Sequence, residues 1–153
     1  TGPTQLLGWD LDADGSAEEL LYAEIGGNIH MDGKEVFRRA VRIMVDSAQK
    51  SMQIAGVTAD DIALIVPHQA NTRIISAACD RLGIPMERTS TVLHETGNTS
   101  SASIPLALFD AANGGPMSGR TLREGDLVLV VGFGAGMTAA SAVLRWNGKG
   151  LRA

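Results

Sequence analysis

The stretch IALIVPHQANTRIISAACDRLG at residues 62–83 contains the pattern that decides the fold. Its opening residues, IALIV, form an uninterrupted apolar run, which is typical of a parallel strand covered on both faces. Pro67 ends this run. A helix is predicted over residues 72–82, because apolar residues recur there at helical spacing between a capping Asn71 and a terminating Gly83. A buried strand, a short loop and a helix make up the repeating unit of an α/β protein.

The same alternation continues along the chain in both directions. Apolar periodicity predicts helices over residues 34–55 and 99–112, and Pro105 should bend the second helix or remove a hydrogen bond from it. Further strands are predicted at residues 5–12, 20–24, 88–93, 127–131 and 138–146. The strand at 20–24 is interpreted as a return strand, and the last strand as an antiparallel one. These elements predict an α/β sheet with helices on both faces.

Composition limits the possible classes of function. The 153 residues fit one domain, and a hydrophobic content of 44% is enough for an ordinary core. A net charge of −4 argues against a general nucleic-acid binder, which would need a basic face. No apolar run approaches the ~20 residues that span a bilayer. A single cysteine excludes an internal disulfide framework and suits a reducing cytoplasm, so we expect a cytoplasmic protein without membrane partners.

Three loops follow predicted strands: HQAN at 68–71, HETGN at 94–98 and GFGAG at 132–136. Loops that leave parallel strands emerge at the carboxyl edge of a sheet, where ligands of such folds bind. His68 and Asn98 could therefore donate hydrogen bonds to one oxygen, and the glycine-rich turn could present backbone N–H groups. The alternatives are a hydrogen-bonded structural histidine, a helix-capping asparagine and a turn that needs positive φ.

Two other features, a cysteine and an acidic segment, resemble functional sites but lack what those sites require. Cys79 lies on the apolar stripe of the helix at 72–82, where burial disfavours a thiolate, so we expect a small core residue and not a nucleophile. The segment DLDADG at residues 10–15 resembles the start of a calcium loop, but Leu21 stands where that site needs a glutamate. We therefore expect a solvated turn there and no metal site.

The segments VPHQANTRIISAACDRLGI, HETGNTSSASIPLAL and GDLVLVVGFGAGMTAASAVLRW, with MDGKEVFRRAV at 31–41, closely resemble the C-terminal half of 3-oxoacyl-acyl carrier protein synthase III. The resemblance covers nearly the whole chain. It implies that residues 1–153 are a thiolase-like half-domain whose sheet is five-stranded, mixed and mostly parallel. It also implies that the nucleophilic cysteine belongs to an N-terminal half outside this sequence.

The resemblance assigns roles to individual residues. His68 and Asn98 would complete a Cys-His-Asn triad, and the backbone N–H of Ala135 would hold an oxyanion together with the N–H of the cysteine. The residues implied to contact the pantetheine and the acyl chain are Gly33, Phe37, Asn71 and Arg73. The residues implied to dock the acidic carrier protein are Arg38, Arg73 and Arg81; from the residues alone, a solvated helix face explains these arginines equally well.

The implied reaction is a decarboxylating condensation of an acyl-CoA primer with malonyl-acyl carrier protein, which starts fatty acid synthesis. The partners would be acyl carrier protein, acyl-CoA, the N-terminal half and a second copy in a homodimer. No cofactor is expected beyond coenzyme A and phosphopantetheine as parts of the substrates, and the isolated half should be inactive in condensation. Two alternatives remain open: a CoA-dependent polyketide-type synthase, and a non-catalytic binding or assembly module.

Overall fold

The computed structural model describes residues 3–148 as a mixed sheet with helices on both faces, together with a separate hairpin. The strands are β1 (Gln5–Ala13), β2 (Leu21–Ala23), β3 (Ile29–Met31), β4 (Leu64–Pro67), β5 (Leu127–Gly134) and β6 (Thr138–Arg145). The helices are α1 (Gly33–Ala55), α2 (Thr72–Leu82), α3 (Leu93–Thr96) and α4 (Ser103–Ala112). None of the helices formed by these residues is long and apolar enough to cross a membrane.

The main sheet has the strand order β1-β6-β5-β4. Strands β4 and β5 pair in parallel, whereas β6 is antiparallel to both β5 and β1. Three strands therefore run in one direction and β6 in the other, which confirms a mixed sheet with most strands aligned. The antiparallel return strand predicted at 138–146 is confirmed as β6.

The prediction of a fifth strand at residues 88–93 is wrong. The segment leaves a 3₁₀ turn at Met86–Arg88 and enters α3 at Leu93, so little extended chain remains between them. It makes one parallel bridge, Ile65 to Thr89, and one ladder-type bond from the Ser90 N–H to the Ile65 carbonyl. The main sheet formed by residues 3–148 thus has four strands.

The return strand predicted at 20–24 also has a different partner from the expected one. Strand β2 pairs with β3 in a two-stranded sheet, while the edge of β1 pairs with β6. A 3₁₀ segment at Gly15–Leu20 separates β1 from β2, and Asp14 accepts a hydrogen bond from the Ser16 N–H at its start. This turn carries the chain away from β1, so a simple hairpin does not form.

The two faces of the main sheet are covered by different helices. Helices α1 and α2 pack on one face in a buried cluster that includes Ile65, Leu129, Val131 and Val143. Helix α4 packs on the other face against β4 and β5, which confirms helices on both faces. Helix α1 lies so close to β1 that a Cβ at Gly8 would come within 2.3 Å of the Ser51 carbonyl oxygen.

The predicted helix at 99–112 begins later than expected. Residues Ser100–Ala102 form a 3₁₀ turn, and α4 starts at Ser103. Pro105 then falls in the first turn of α4, where backbone N–H groups have no partner within the helix, so its ring removes no hydrogen bond. The helix end chemistry predicted for α2 is confirmed: Asn71 caps its start and Gly83 adopts φ 71° at its end.

Candidate functional site

A cavity of about 860 Å³ opens at the carboxyl ends of β4 and β5. His68, Asn98 and Ala135, which come from the three loops identified in the sequence, all line it. Its remaining surface is largely apolar and includes Ile74 and Ile104. Three segments that are far apart in the sequence therefore meet at one site, as the carboxyl-edge argument predicts.

The imidazole of His68 is half-buried and held from two sides. Its Nδ1 lies 2.5 Å from the Ser103 hydroxyl oxygen, and its ring meets Phe133 edge-on at 5.7 Å between centroids. Burial lowers the pKa of His68 below its ordinary value of 6.5. The ring is therefore neutral at neutral pH and can donate one N–H. A Cβ at Gly132 would lie 3.2 Å from Cδ1 of Ile104, which would have to shift, and 3.4 Å from the His68 Cβ, which is an ordinary contact.

The side chain of Asn98 is oriented by its own loop. Its Oδ1 accepts a hydrogen bond of 3.0 Å from the Ser100 N–H, while Ser100 adopts φ 52°, which is unusual for a residue other than glycine. Within residues 3–148, the Nδ2 of Asn98 makes no hydrogen bond to protein. The capping interpretation and the donor interpretation are thus compatible, because the oxygen stabilises the turn while the NH₂ group of this cavity-lining residue is left without a protein partner among residues 3–148.

The turn between β5 and β6 brings Ala135 to the cavity. Strand β5 continues to Gly134, three residues beyond its predicted end, because GFG keeps its pairing with β6. Gly136 and Met137 have φ values of 66° and 43°, which confirms a turn with positive φ. At the end of β5, Phe133 places its ring beside His68, whereas Gly134 and Ala135 bring main chain and only small side chains to the cavity.

The other predicted substrate contacts are divided between the cavity and the surface. Gly33, Phe37 and Asn71 line the cavity, whereas Arg73 lies exposed at the start of α2 outside its lining. Asn71 Oδ1 accepts a hydrogen bond of 2.8 Å from the Arg73 N–H, so its oxygen serves as the helix cap. The hairpin β2–β3, which had no assigned role, adds Tyr22 to the lining.

The three predicted docking arginines lie outside the cavity and differ in their surroundings. Arg38 donates to Glu35 at 2.8 Å, and the hydrogen bonds from Arg38 and Arg39 lower the pKa of Glu35 to about 2. Arg73 and Arg81 are exposed on α2 and have no ion-pair partner within residues 3–148. The positive charge available to an acidic partner is therefore greater on α2 than at Arg38.

Cys79 is a core residue, as expected. It is 1% exposed, its sulfur lies 3.4 Å from the Thr89 hydroxyl oxygen, and burial raises the pKa of its thiol. A buried thiol of this kind is a poor nucleophile. In the described part of the chain, no group of three or more His, Cys, Asp or Glu side chains could hold a metal ion.

Gln69, to which we assigned no role, joins the two loops that carry His68 and Asn98. It is fully buried, and its Nε2 donates to the Pro67 carbonyl at 2.7 Å and to the Ser90 carbonyl at 3.2 Å. Its Oε1 accepts from the Val92 N–H at 2.9 Å. The amide thus replaces the missing strand ladder on the 90–92 segment. The one local hint in the sequence is an amide two residues after a buried strand, and it does not identify the partners of that amide.

Comparison with known proteins finds related sequences and folds. Residues 52–146 match the family model described as 3-oxoacyl-[acyl-carrier-protein (ACP)] synthase III C terminal. A beta-ketoacyl-[acyl-carrier-protein] synthase III from Roseiflexus sp. (strain RS-1) is 43% identical over 95% of this chain and 47% of its own length. The chain spans about half the length of the curated relatives it matches.

Several solved structures share the fold and 35% or more of the sequence, and two of them illustrate the likeness. The 3-oxoacyl-[acyl-carrier-protein] synthase III from Aquifex aeolicus superposes with a TM-score of 0.88 at 39% identity, over 95% of this chain and 46% of that one. The priming beta-ketosynthase from the R1128 polyketide biosynthetic pathway superposes with a TM-score of 0.82 at 35% identity, over 93% and 45%. The thiolase-like fold expected from the sequence is confirmed by these likenesses.

We predict that Gln69→Leu lowers the free energy of unfolding by about 2–4 kcal/mol, because it removes the acceptor of the buried Val92 N–H and one donor from each of the Pro67 and Ser90 carbonyl oxygens. Urea unfolding measures the change. Gln49→Leu is the matched control: Gln49 is exposed on α1, and its replacement should change stability by less than about 0.5 kcal/mol. Equal stability of the two variants would contradict the role of the Gln69 amide.

Proposed function

Because the chain belongs to the family of 3-oxoacyl-[acyl-carrier-protein (ACP)] synthase III C-terminal domains, we propose that it is the C-terminal half of a decarboxylating condensing enzyme. The complete enzyme would be an acyltransferase that joins an acyl-CoA primer to malonyl-acyl carrier protein and so starts fatty acid synthesis. The observation that carries this proposal is that His68, Asn98 and the GFGAG turn line one cavity.

The missing half is proposed to supply the nucleophilic cysteine, because the one cysteine of this chain, Cys79, is buried. An uncovered sheet face supports this division of the enzyme. Asp10 and Asp12 point toward Lys50 of α1, so the intervening side chains on β1 point to the opposite face. There Trp9 is 57% exposed and Leu11 69% exposed, a large apolar surface for a solvated strand. We assign this face to the N-terminal half.

The chemistry requires two hydrogen-bond donors at one oxygen. After the primer acylates the cysteine and CoA leaves, the malonyl thioester loses CO₂ and develops a carbanion next to its carbonyl. That charge is tolerable only if it moves onto the carbonyl oxygen, where fixed N–H donors stabilise it more in the transition state than in the ground state. His68 Nε2–H and Asn98 Nδ2–H are proposed as these donors.

The resulting enolate attacks the acyl-cysteine and creates a second oxyanion. The backbone N–H of Ala135 is proposed to hold this oxygen together with the N–H of the absent cysteine. The glycine-rich turn lets the main chain approach the substrate closely, because no side chain stands between them at Gly134 or Gly136. Phe37 is proposed to contact the acyl chain, and Gly33 and Asn71 the pantetheine.

Binding of acyl carrier protein is proposed to involve Arg73, Arg81 and Arg38. Arg73 and Arg81 lie on one exposed helix and carry unpaired charge within the described chain, which suits an acidic partner. Arg38 is already hydrogen-bonded to Glu35 and should contribute less. By the same family resemblance, the complete enzyme is proposed to be a cytoplasmic homodimer that needs no cofactor.

A second candidate is a priming ketosynthase of a polyketide pathway, since such an enzyme shares this fold at 35% identity. The two candidates use the same donors and differ in the carrier of the malonyl group or in the fate of the product. Turnover of malonyl-acyl carrier protein against malonyl-CoA separates a carrier-protein-dependent enzyme from a CoA-dependent one. We favour the carrier protein because Arg73 and Arg81 on α2 have no ion-pair partner among the residues that the structure describes.

In the enzyme completed by its N-terminal half, we predict that His68→Ala and Asn98→Ala each lower the rate of malonyl decarboxylation by about 10²–10³, the usual effect of removing one oxyanion donor. Release of CO₂ from malonyl-acyl carrier protein measures this rate. His94→Ala is the control, because His94 is exposed on α3, four residues before Asn98, and does not line the cavity. Unchanged decarboxylation in both test variants would refute the assigned roles.

We predict that replacing Trp9 and Leu11 together by lysine weakens association of the separately expressed halves by about 100-fold or more, because two large apolar side chains lose their burial. Calorimetric titration of one half with the other gives the dissociation constant. Ile54→Lys is the control, since Ile54 is 63% exposed on α1, away from this face. Equal dissociation constants for both variants would contradict the proposed interface.

We predict that Arg73→Glu and Arg81→Glu each raise the KM for malonyl-acyl carrier protein by about fivefold, and that Arg38→Glu raises it less. The effect should shrink as salt is added, because exposed charges are screened. Arg123→Glu serves as the control, because Arg123 precedes β5 at the opposite end of the sheet from the cavity. A KM that neither charge reversal nor salt alters would exclude docking on α2.

A further inference from the structure

The hydroxyl group of Ser103 joins the first turn of α4 to the end of β4. Ser103 is fully buried, and its oxygen lies 2.5 Å from Nδ1 of His68 and 3.2 Å from the N–H of Gln69. The Gln69 N–H can only donate, so one lone pair of the hydroxyl oxygen is already used. The position of the remaining proton determines the state of the imidazole.

Two arrangements of protons fit this short contact. If Nδ1 carried the proton, the ring and the Gln69 N–H would both donate to Ser103, and the hydroxyl proton would need another acceptor. Within residues 3–148, that hydroxyl makes no hydrogen bond with an acceptor other than Nδ1. A buried donor without a partner is unfavourable. If Ser103 donates to Nδ1 instead, all three groups are satisfied.

We propose that Ser103 is a positioning residue that donates its hydroxyl proton to Nδ1 of His68 and so holds the ring in the Nε2–H tautomer. The Nε2 atom makes no hydrogen bond to residues 3–148, and the ring lines the cavity. The ring therefore presents a donor to the cavity before any substrate binds. The catalytic use of that donor rests on the proposed function, whereas the tautomer itself does not.

The same contacts orient the ring as well as its proton. Phe133 meets the imidazole edge-on from β5, and Ser103 holds Nδ1 from α4, so the ring is fixed between a strand and a helix. Ser103 is in turn held by the backbone of Gln69, whose side chain joins the neighbouring loop. Preorganisation of this kind means that a donor need not reorient during the reaction.

The test is the ¹⁵N spectrum of the histidine rings in the labelled chain at about pH 8, above the ordinary histidine pKa. We expect His68 to show the Nε2–H pattern with a preference of at least about tenfold over the other tautomer. Its signals are assigned by their loss in His68→Gln, and the exposed His30 and His94 are internal references. A wild-type ring found as the Nδ1–H tautomer overturns the proposal.

Variants test whether the Ser103 hydroxyl is the source of the tautomer preference of His68. Ser103→Ala should reduce it about tenfold, while Ser90→Ala should leave it unchanged. Ser90 is the matched control, because it is also fully buried and its hydroxyl bonds to α4 at the Ala107 carbonyl, 3.4 Å away. If Ser103→Ala does not fold, Ser103→Cys replaces the hydroxyl by a weaker donor of similar size and should also reduce the preference. An unchanged ring spectrum in the folded variant overturns the proposal.

The catalytic consequence is measured separately. In the complete enzyme, Ser103→Ala should lower kcat for decarboxylation about tenfold with the KM for malonyl-acyl carrier protein unchanged, and Ser90→Ala should alter neither. The ring spectrum needs no substrate and no N-terminal half, so the two results are independent. A lost tautomer preference with unchanged kcat would contradict the role of His68 in the proposed function and leave the assignment of Ser103 standing.

Discussion

The site depends on the buried hydrogen bonds that the carboxyl end of β4 makes with two neighbouring segments. Residues 90–92 have almost no sheet ladder of their own, and the Gln69 amide makes two hydrogen bonds to them, with the Ser90 carbonyl and the Val92 N–H, and a third to the Pro67 carbonyl of β4. Together with the bond from the Ser90 N–H to the Ile65 carbonyl and the burial of Val92, they fix the start of the segment that carries Asn98 relative to His68. Inside a protein such bonds are strong when complete and unfavourable when broken, so the arrangement is held in one state.

The two proposed donors are oriented by the same physical device. In each case the atom on one side of a planar group bonds to the protein, and this leaves the atom on the other side for a ligand. Asn98 uses its Oδ1 on the Ser100 N–H, and His68 uses its Nδ1 on the Ser103 hydroxyl. Burial lowers the pKa of His68, so the ring stays neutral and keeps one donor and one acceptor. An uncharged donor suits an oxygen that becomes negative only during the reaction.

The sequence predicts the elements whose signals are local. Helix α2 has its predicted bounds because a cap, a periodic stripe and a glycine coincide over one stretch. The meeting of the loops after β4 and β5 at one cavity also follows from sequence, since it depends only on strand direction. The loop with Asn98 reaches the same cavity from a segment that makes a single bridge to the sheet. The segment at 88–93 is misread because a few extended residues look like a strand, whereas pairing depends on the turns that flank it. The predicted pairing of β2 with β1 is wrong for a related reason, since a 3₁₀ turn between these strands redirects the chain.

The contacts of Gln69 and Ser103 could not be predicted from the sequence. Each joins residues that are distant along the chain through single buried polar atoms, and no spacing rule marks such pairs.

The most direct measurement for the whole account is a crystal structure of the complete enzyme with a malonyl thioester analogue that cannot decarboxylate. The account predicts that His68 Nε2 and Asn98 Nδ2 both lie within about 3 Å of the thioester oxygen. A thioester oxygen that contacts neither atom would contradict it.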